Sequence, residues 1–246
     1  DQDFSFCREF FRQGLDERVA LQQREAHHPP DLFSRISQKY DLLDPDERAR
    51  LYTDILSVSL AGSDAPSLAL AWTLYAIAAN PSVEHRLVRE IDEVLGRRMP
   101  TRADLAELPY TQAVVRESLR LYPPAWYTPR TNVEDDVLDG VRIPAGSTVI
   151  IFQYLMHHDP HFWPGPKRFR PERFLESRDH PAYMPYGWGP RYCFAADYAH
   201  AMLTAFTALI VRDYTLRLKT PEPPPMAPLI NLRMQNDLHL DMKPRP

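Results

Sequence analysis

The segment Tyr186-Gly187-Trp188-Gly189-Pro190-Arg191-Tyr192-Cys193-Phe194-Ala195 sets a single cysteine at the end of a glycine-rich turn. An arginine stands two residues before the cysteine and a helix-like apolar run follows it. Glycines let a backbone fold tightly around a sulfur. The N–H groups of a helix start, with a nearby arginine, favour thiolate over thiol. A thiolate held this way can ligate a soft metal centre. A cysteine before a helix is more commonly a small buried hydrophobe, so the neighbouring residues must carry the reading.

They do so through a resemblance. The segment is similar to the haem-ligand loop of the cytochrome P-450 family, F-x-x-G-x-R-x-C-x-G. Gly189, Arg191 and Cys193 match, while Tyr186 replaces Phe and Ala195 replaces Gly. The resemblance implies that Cys193 is the axial ligand of a haem b iron. Tyr186, Gly187 and Ala195 would lie in the cofactor loop, and Arg191 would contact a propionate. Arg130, ten residues after Arg120, matches a second propionate position, since Arg pairs with carboxylates in bidentate fashion.

Further motifs follow the family's order. Glu117-Ser118-Leu119-Arg120 lies in a helical run that Pro123-Pro124 ends. An E-x-x-R pair alone is usually a solvated ion pair worth little. The segment Trp163 to Phe174 contains Pro171-Glu172-Arg173-Phe174, which looks like the family's P-E-R-F. The resemblance implies a buried triad of Glu117, Arg120 and Arg173 that braces the cysteine loop.

Ala61-Gly62-Ser63-Asp64-Ala65-Pro66-Ser67 resembles A-G-x-[D/E]-T-[T/S], the family's distal-helix motif, whose acid and alcohol supply protons for oxygen activation. Ala61, Gly62 and Asp64 match, but Ala65 stands at the alcohol position and Pro66 follows it. Alanine cannot relay a proton, and proline inside a helix removes one N–H and usually kinks it. Three readings stay open. Ser63 or Ser67 substitutes beside Asp64, the substrate carries its own hydroxyl, or the chemistry is of peroxygenase or isomerase type. Ala61 is placed at the cofactor, and Asp64, Ser63 and Ser67 are the catalytic candidates.

Composition agrees with a globular chain, and the resemblance implies a mainly α fold, the C-terminal portion of the cytochrome P-450 fold, with small β-sheets. At 246 residues with net charge −4, no pull toward nucleic acid is expected. No run reaches transmembrane length, and two cysteines, Cys7 and Cys193, make no disulfide framework. A cytoplasmic setting is expected. The resemblance covers only the family's C-terminal half, so residues 1–246 are expected to form that half of a haem-thiolate domain, with the N-terminal half absent. The expected partners are an apolar small-molecule substrate, a ferredoxin or flavoprotein reductase, and a separate N-terminal half. The leading reading is a monooxygenase. A non-catalytic half-domain that needs a partner to bind haem is the alternative from another class.

Along the chain, apolar spacing predicts a helix over residues 4–25, with Phe6, Phe10, Phe11, Leu15 and Val19 on one face, ended by His27-His28-Pro29-Pro30. Further helices are expected over 31–39, from Asp44-Pro45 through the distal motif with a break, from Asn80 to Leu95, from Thr101, over 110–122 and over 195–211. Asp139-Gly140 predicts a hairpin over 137–143. Strands are expected at 148–152, 214–218, 229–233 and 238–242, and the prolines from Pro221 to Pro228 read as a rigid connection. His157-His158 and His161 match a family loop away from the iron and are not read as ligands. The distal pocket is expected to draw on 59–67, 125–128 and 228–231.

Overall fold

A computed structural model describes the backbone of residues 2–24, 31–177 and 180–245, with side chains from Glu9 onward except those of residues 22 and 23. The expected break at His27-His28-Pro29-Pro30, and the side chains of Phe6 and Cys7, lie outside the described residues. The chain divides into two compact units, Asp1–Asp64 and Ala65–Pro246.

The first unit holds α1 (Gln2–Arg24), α2 (Leu32–Ser37) and the opening turns of α3 (Pro45–Ala78). Leu15, Val19 and Leu51 form its core, with Phe33, Ile36 and Ile55 packed on them. Asp31 caps α2 by accepting the Ser34 N–H at 2.8 Å. Asp44 accepts from Asp46 N–H at 2.9 Å just ahead of Pro45, the first residue of α3. The break expected around Pro66 does not occur, because α3 runs through that residue to Ala78. Proline deprives only the Gly62 carbonyl of its helical donor, and one lost bond does not end a 34-residue helix.

The second unit is built on α4 (Pro81–Val94), α5 (Arg102–Ala106), α6 (Pro109–Leu121) and α9 (Ala196–Asp213). In α4, Val83, Leu87 and Ile91 recur every fourth residue and all are buried. They join Ile77, Leu108, Val114, Ala208, Val211 and Leu216 in the main core. Ten of the thirteen residues of α6 are buried, so this helix is sheathed on nearly every side. That position forces its polar residues, Glu117 and Arg120 among them, to find partners inside the protein.

Among the described residues, the strands of this unit form four antiparallel two-stranded sheets. β1 (Thr128–Thr131) pairs with β4 (Thr148–Ile151), and β2 (Asp136–Leu138) with β3 (Val141–Ile143). The β2–β3 turn, Asp139-Gly140, has φ of 49° and 78°, the geometry the sequence predicts for a two-residue hairpin. β5 (Tyr214–Leu218) pairs with β8 (Leu240–Pro244), and β6 (Met226–Pro228) with β7 (Leu232–Met234). β6 corrects the reading of Pro221–Pro228 as connection only: proline cannot donate to a ladder, but a two-stranded sheet leaves each strand one unpaired side. Two short helices, α7 (Gln153–His157) and α8 (Arg173–Glu176), complete the unit. His157 therefore closes a helix and does not lie in a loop. No helix among the described residues is long and apolar enough to cross a membrane.

Candidate functional site

Cys193 sits three residues ahead of α9, half-buried, at the end of a tightly held turn. Its N–H donates to the Tyr186 carbonyl at 3.0 Å and closes the loop on itself. Within the loop, Gly187 and Gly189 have φ of 73° and 66°, which L side chains rarely adopt. The Gly187 N–H returns to Met184 O at 3.1 Å, and Tyr192 N–H to Gly189 O at 3.0 Å, making the short 3₁₀ turn Gly189–Arg191. The Cys193 carbonyl then accepts from Ala196 N–H at 3.2 Å, carrying the chain into α9. The thiol thus lies beside the positive end of an 18-residue helix.

The two departures from the expected loop pattern are accommodated. Ala195 has φ −97° and ψ 12°, which alanine adopts without strain, so no glycine is required there. Tyr186 is mostly buried and its hydroxyl finds no hydrogen-bond partner among the described residues, so the ring is the part the packing uses. Burial pushes its phenol pKa up, with charge on Tyr192 and Cys193 acting the same way.

The residues fit a haem. Among the described residues no group of three or more His, Cys, Asp or Glu could hold a bare metal ion. A lone thiol is instead the donor set of a macrocycle-bound iron. Trp188, Tyr192 and Phe194 flank it with exposed aromatic faces, Phe194 at 83%. Exposed aromatic side chains grouped in one short loop suit a flat apolar ligand. Arg191 is exposed two residues away.

Behind the loop lies the charged cluster. Glu117 accepts from Arg120 Nε and Nη2 at 2.8 and 2.9 Å, and from Arg173 Nε at 3.1 Å. The Arg170 N–H adds a bond at 2.9 Å. Two cations on one carboxylate leave an excess positive charge, which four carbonyls offset. Arg120 donates to His157 O at 2.6 Å and Arg168 O at 3.3 Å, Arg173 to Pro164 O at 3.0 Å and Gly165 O at 3.2 Å. Trp163 lies under the Arg120 guanidinium, 5.1 Å from ring centre to carbon. The sequence-predicted triad is thus brought together as a fully bonded, buried group.

The structure joins two of the segments expected to line the distal pocket. Trp126 Nε1–H donates to Leu229 O at 2.8 Å, and Leu232 N–H to Pro124 O at 2.9 Å. Trp126, Tyr127 and Phe152 cluster there, with Trp126 and Tyr127 centroids 4.7 Å apart. Arg130 lies on β1 with its guanidinium on the Pro129 carbonyl at 2.8 Å. Ala61, Ser63 and Asp64 belong to the first unit, where Ser63 Oγ donates back to Leu60 O at 3.1 Å, and Ser67 lies in the second. A cavity of 630 Å³ opens beside the cysteine loop, lined by Tyr186 and Tyr192 of that loop and by Arg102, Arg116, Tyr183 and His200 among others, and the sequence reading missed it. Burial, helped by Arg116, pulls His200 down to about 4, although Asp197 pulls the other way.

With the cysteine loop, the buried cluster and the α6–α9 frame in place, the comparisons are consistent with one another. The model of the cytochrome P450 family matches residues 10–239. The chain belongs to that family. It is 35% identical over 196 residues to putative cytochrome P450 132 of Mycobacterium tuberculosis, covering 78% of this chain and 42% of that protein. It is 33% identical over 212 residues to cyclooctat-9-en-7-ol 5-monooxygenase of Streptomyces melanosporofaciens (84% and 46%), and 42% identical over 161 residues to human cytochrome P450 3A5 (64% and 32%). The chain spans less than half the length of each of these relatives.

Proposed function

We propose that this chain carries the thiolate side of a haem monooxygenase, with Cys193 as the residue that would hold the iron. The observation that supports it most is the loop itself: a lone, half-buried thiol, closed by the Cys193–Tyr186 backbone bond between left-handed glycines and the start of α9. Haem, when bound, supplies the site of dioxygen reduction, and a thiolate ligand favours O–O cleavage. In balance, one oxygen atom enters a C–H bond and the other leaves as water, consuming two electrons and two protons. A ferredoxin or flavoprotein reductase supplies the electrons.

The chain's own residues have distinct parts in this reading. The α9 start and the loop N–H groups favour the thiolate. Arg191 and Arg130 are the candidates to pair the propionates. Glu117, Arg120 and Arg173 fix the frame. Asp64, with Ser63 or Ser67, is the proposed route for protons, and Trp126 and Tyr127 border an apolar substrate. That one relative is named for oxidising cyclooctat-9-en-7-ol supports an apolar small-molecule substrate here. Residues 1–246 are proposed as the C-terminal half of the catalytic domain, complete for catalysis only with an N-terminal half.

Ala65-Pro66 favours a second reading, peroxide-driven oxidation, because the side chain at the alcohol position cannot relay a proton. The test compares turnover of an apolar substrate, by chain joined to an N-terminal half, with NAD(P)H and redox partners against hydrogen peroxide alone. Partner-dependent turnover that Ala65→Thr couples more tightly supports the first reading. Turnover with peroxide alone supports the second.

A further inference from the structure

Among the described residues, no hydrogen bond joins the Glu117–Arg120–Arg173 cluster directly to the cysteine loop, Tyr186 to Ala195. Something else must transmit its rigidity to the ligand turn, and the hydrogen-bond network shows one continuous route. His157 is fully buried at the end of α7. Its backbone carbonyl accepts from Arg120 Nη1 at 2.6 Å, and its ring Nδ1 lies 3.1 Å from the Arg120 carbonyl. At the far side of the ring, Nε2 lies 3.0 Å from the Met184 N–H.

These contacts fix the tautomer. A backbone N–H can only donate, so Nε2 is the bare, accepting nitrogen. Nδ1 therefore carries the proton and donates to Arg120 O. The residue Met184 continues the route, since its carbonyl, in the next peptide group, accepts the Gly187 N–H at 3.1 Å, where the chain turns into the left-handed conformation of the cysteine loop. The ring is held in place on its faces too. Tyr183 stacks on it at 5.7 Å and 26°, and Trp163 meets it edge-on at 6.5 Å. Both ring nitrogens are thus committed and two aromatic rings pack on the imidazole, so the group has no freedom left for acid–base work.

We infer that His157 is a positioning residue for Cys193: its imidazole is the bridge that ties the buried Glu117–Arg120–Arg173 cluster to the Met184–Gly187 turn and thereby holds the ligand loop. The inference rests on the reading of Cys193 as the haem ligand, and it gives a residue distant from that ligand a spectroscopic consequence. Removing the bridge frees the Met184 peptide, loosens the turn at Gly187 and lets the thiolate be lost to a neutral thiol or to no ligand.

The test uses the full chain with haem, comparing wild type, His157→Leu and His157→Gln, the last keeping one acceptor and one donor at similar reach. Two readouts are taken: amide exchange at Met184 and Gly187, and the fraction of the reduced carbon-monoxide complex showing the red-shifted Soret band of thiolate-ligated iron. His157→Leu should speed exchange at both amides at least about tenfold, leave the α4 amides of Leu87 and Ile91 unchanged, and lower the thiolate fraction. His157→Gln should recover most of both. Unchanged Met184 and Gly187 exchange, or a loss of protection spread equally through α4, overturns the inference. If His157→Leu does not fold, nitrogen NMR of the wild type decides: a through-bond coupling between Met184 N–H and a bare Nε2 supports the bridge, and a protonated Nε2 overturns it. Absence of the thiolate band in the wild type removes the haem reading instead, and the amide arm, run without haem, then decides the bridge by itself.

Discussion

Arg173 reaches back across 56 residues to place its Nε 3.1 Å from Glu117 Oε1, the same oxygen that accepts the Arg170 backbone N–H at 2.9 Å. One carboxylate on α6 thus fixes both a side chain and a backbone turn of the Pro164–Glu176 segment. All three charged side chains are withdrawn from water, so the value of the group depends on its being complete.

Glu117→Gln leaves two buried guanidinium groups facing a neutral amide. It should cost about 3–5 kcal/mol of unfolding free energy, the usual consequence of breaking a buried pair. Denaturant titration followed by circular dichroism checks this. A loss below about 1 kcal/mol would show that the cluster is solvated.

Tyr186→Phe removes a buried hydroxyl that has no hydrogen-bond partner among the described residues. The change should leave stability unaltered or raise it by up to about 1 kcal/mol, because no hydrogen bond is lost and a desolvation cost disappears. A clear loss of stability in thermal or denaturant unfolding would mean that the hydroxyl is bonded in solution.

Gly189→Ala places a methyl where the space is open but the backbone is left-handed, at φ 66°. The expected cost is about 1 kcal/mol from backbone strain alone. Ala195→Gly, at a position with φ −97° that alanine adopts freely, should also cost about 0.4–1 kcal/mol, here by loosening the unfolded chain. Unfolding curves check both, and a neutral or stabilising effect of either change would contradict the backbone argument.

Two buried histidines predict a pH dependence with a definite sign. Burial pulls His157 from 6.5 down to about 3, and Arg120 and His158 push the same way against the hydrogen bond to Arg120 O. His200 falls to about 4. Below 6.5 the unfolded chain takes up protons that the folded chain refuses. Their contribution is therefore full above 6.5 and lost as pH falls towards 3–4. Between pH 6.5 and 5, above the carboxylate range, each should contribute a slope approaching about 1.4 kcal/mol per pH unit. Unfolding midpoints at pH 7, 6 and 5 test it, with His200→Gln expected to flatten the slope. A flat wild-type profile would contradict the burial of both rings.

Much of this was legible in local sequence. Asp139-Gly140 specified its hairpin because both turn residues tolerate positive φ, and the fourfold spacing of Val83, Leu87 and Ile91 specified α4. Pro66 misled, since a single missing N–H is tolerated within a helix whose other bonds persist. The strand Met226–Pro228 was hidden by Pro228 and the prolines that precede it, and exists because Leu232–Met234 pairs with it. The part proposed for His157 was invisible for a different reason: its partners, Arg120 and Met184, lie 37 and 27 residues away, and only the packing of α6 and of the segment before the cysteine loop around α7 brings them to one ring.

The most direct test of the central claim is the absorption spectrum of the chain with haem, reduced and exposed to carbon monoxide, beside Cys193→Ala. A strongly red-shifted Soret band that Cys193→Ala abolishes is the predicted result. A wild-type spectrum without that band, or one that Cys193→Ala leaves unchanged, would contradict thiolate ligation by Cys193.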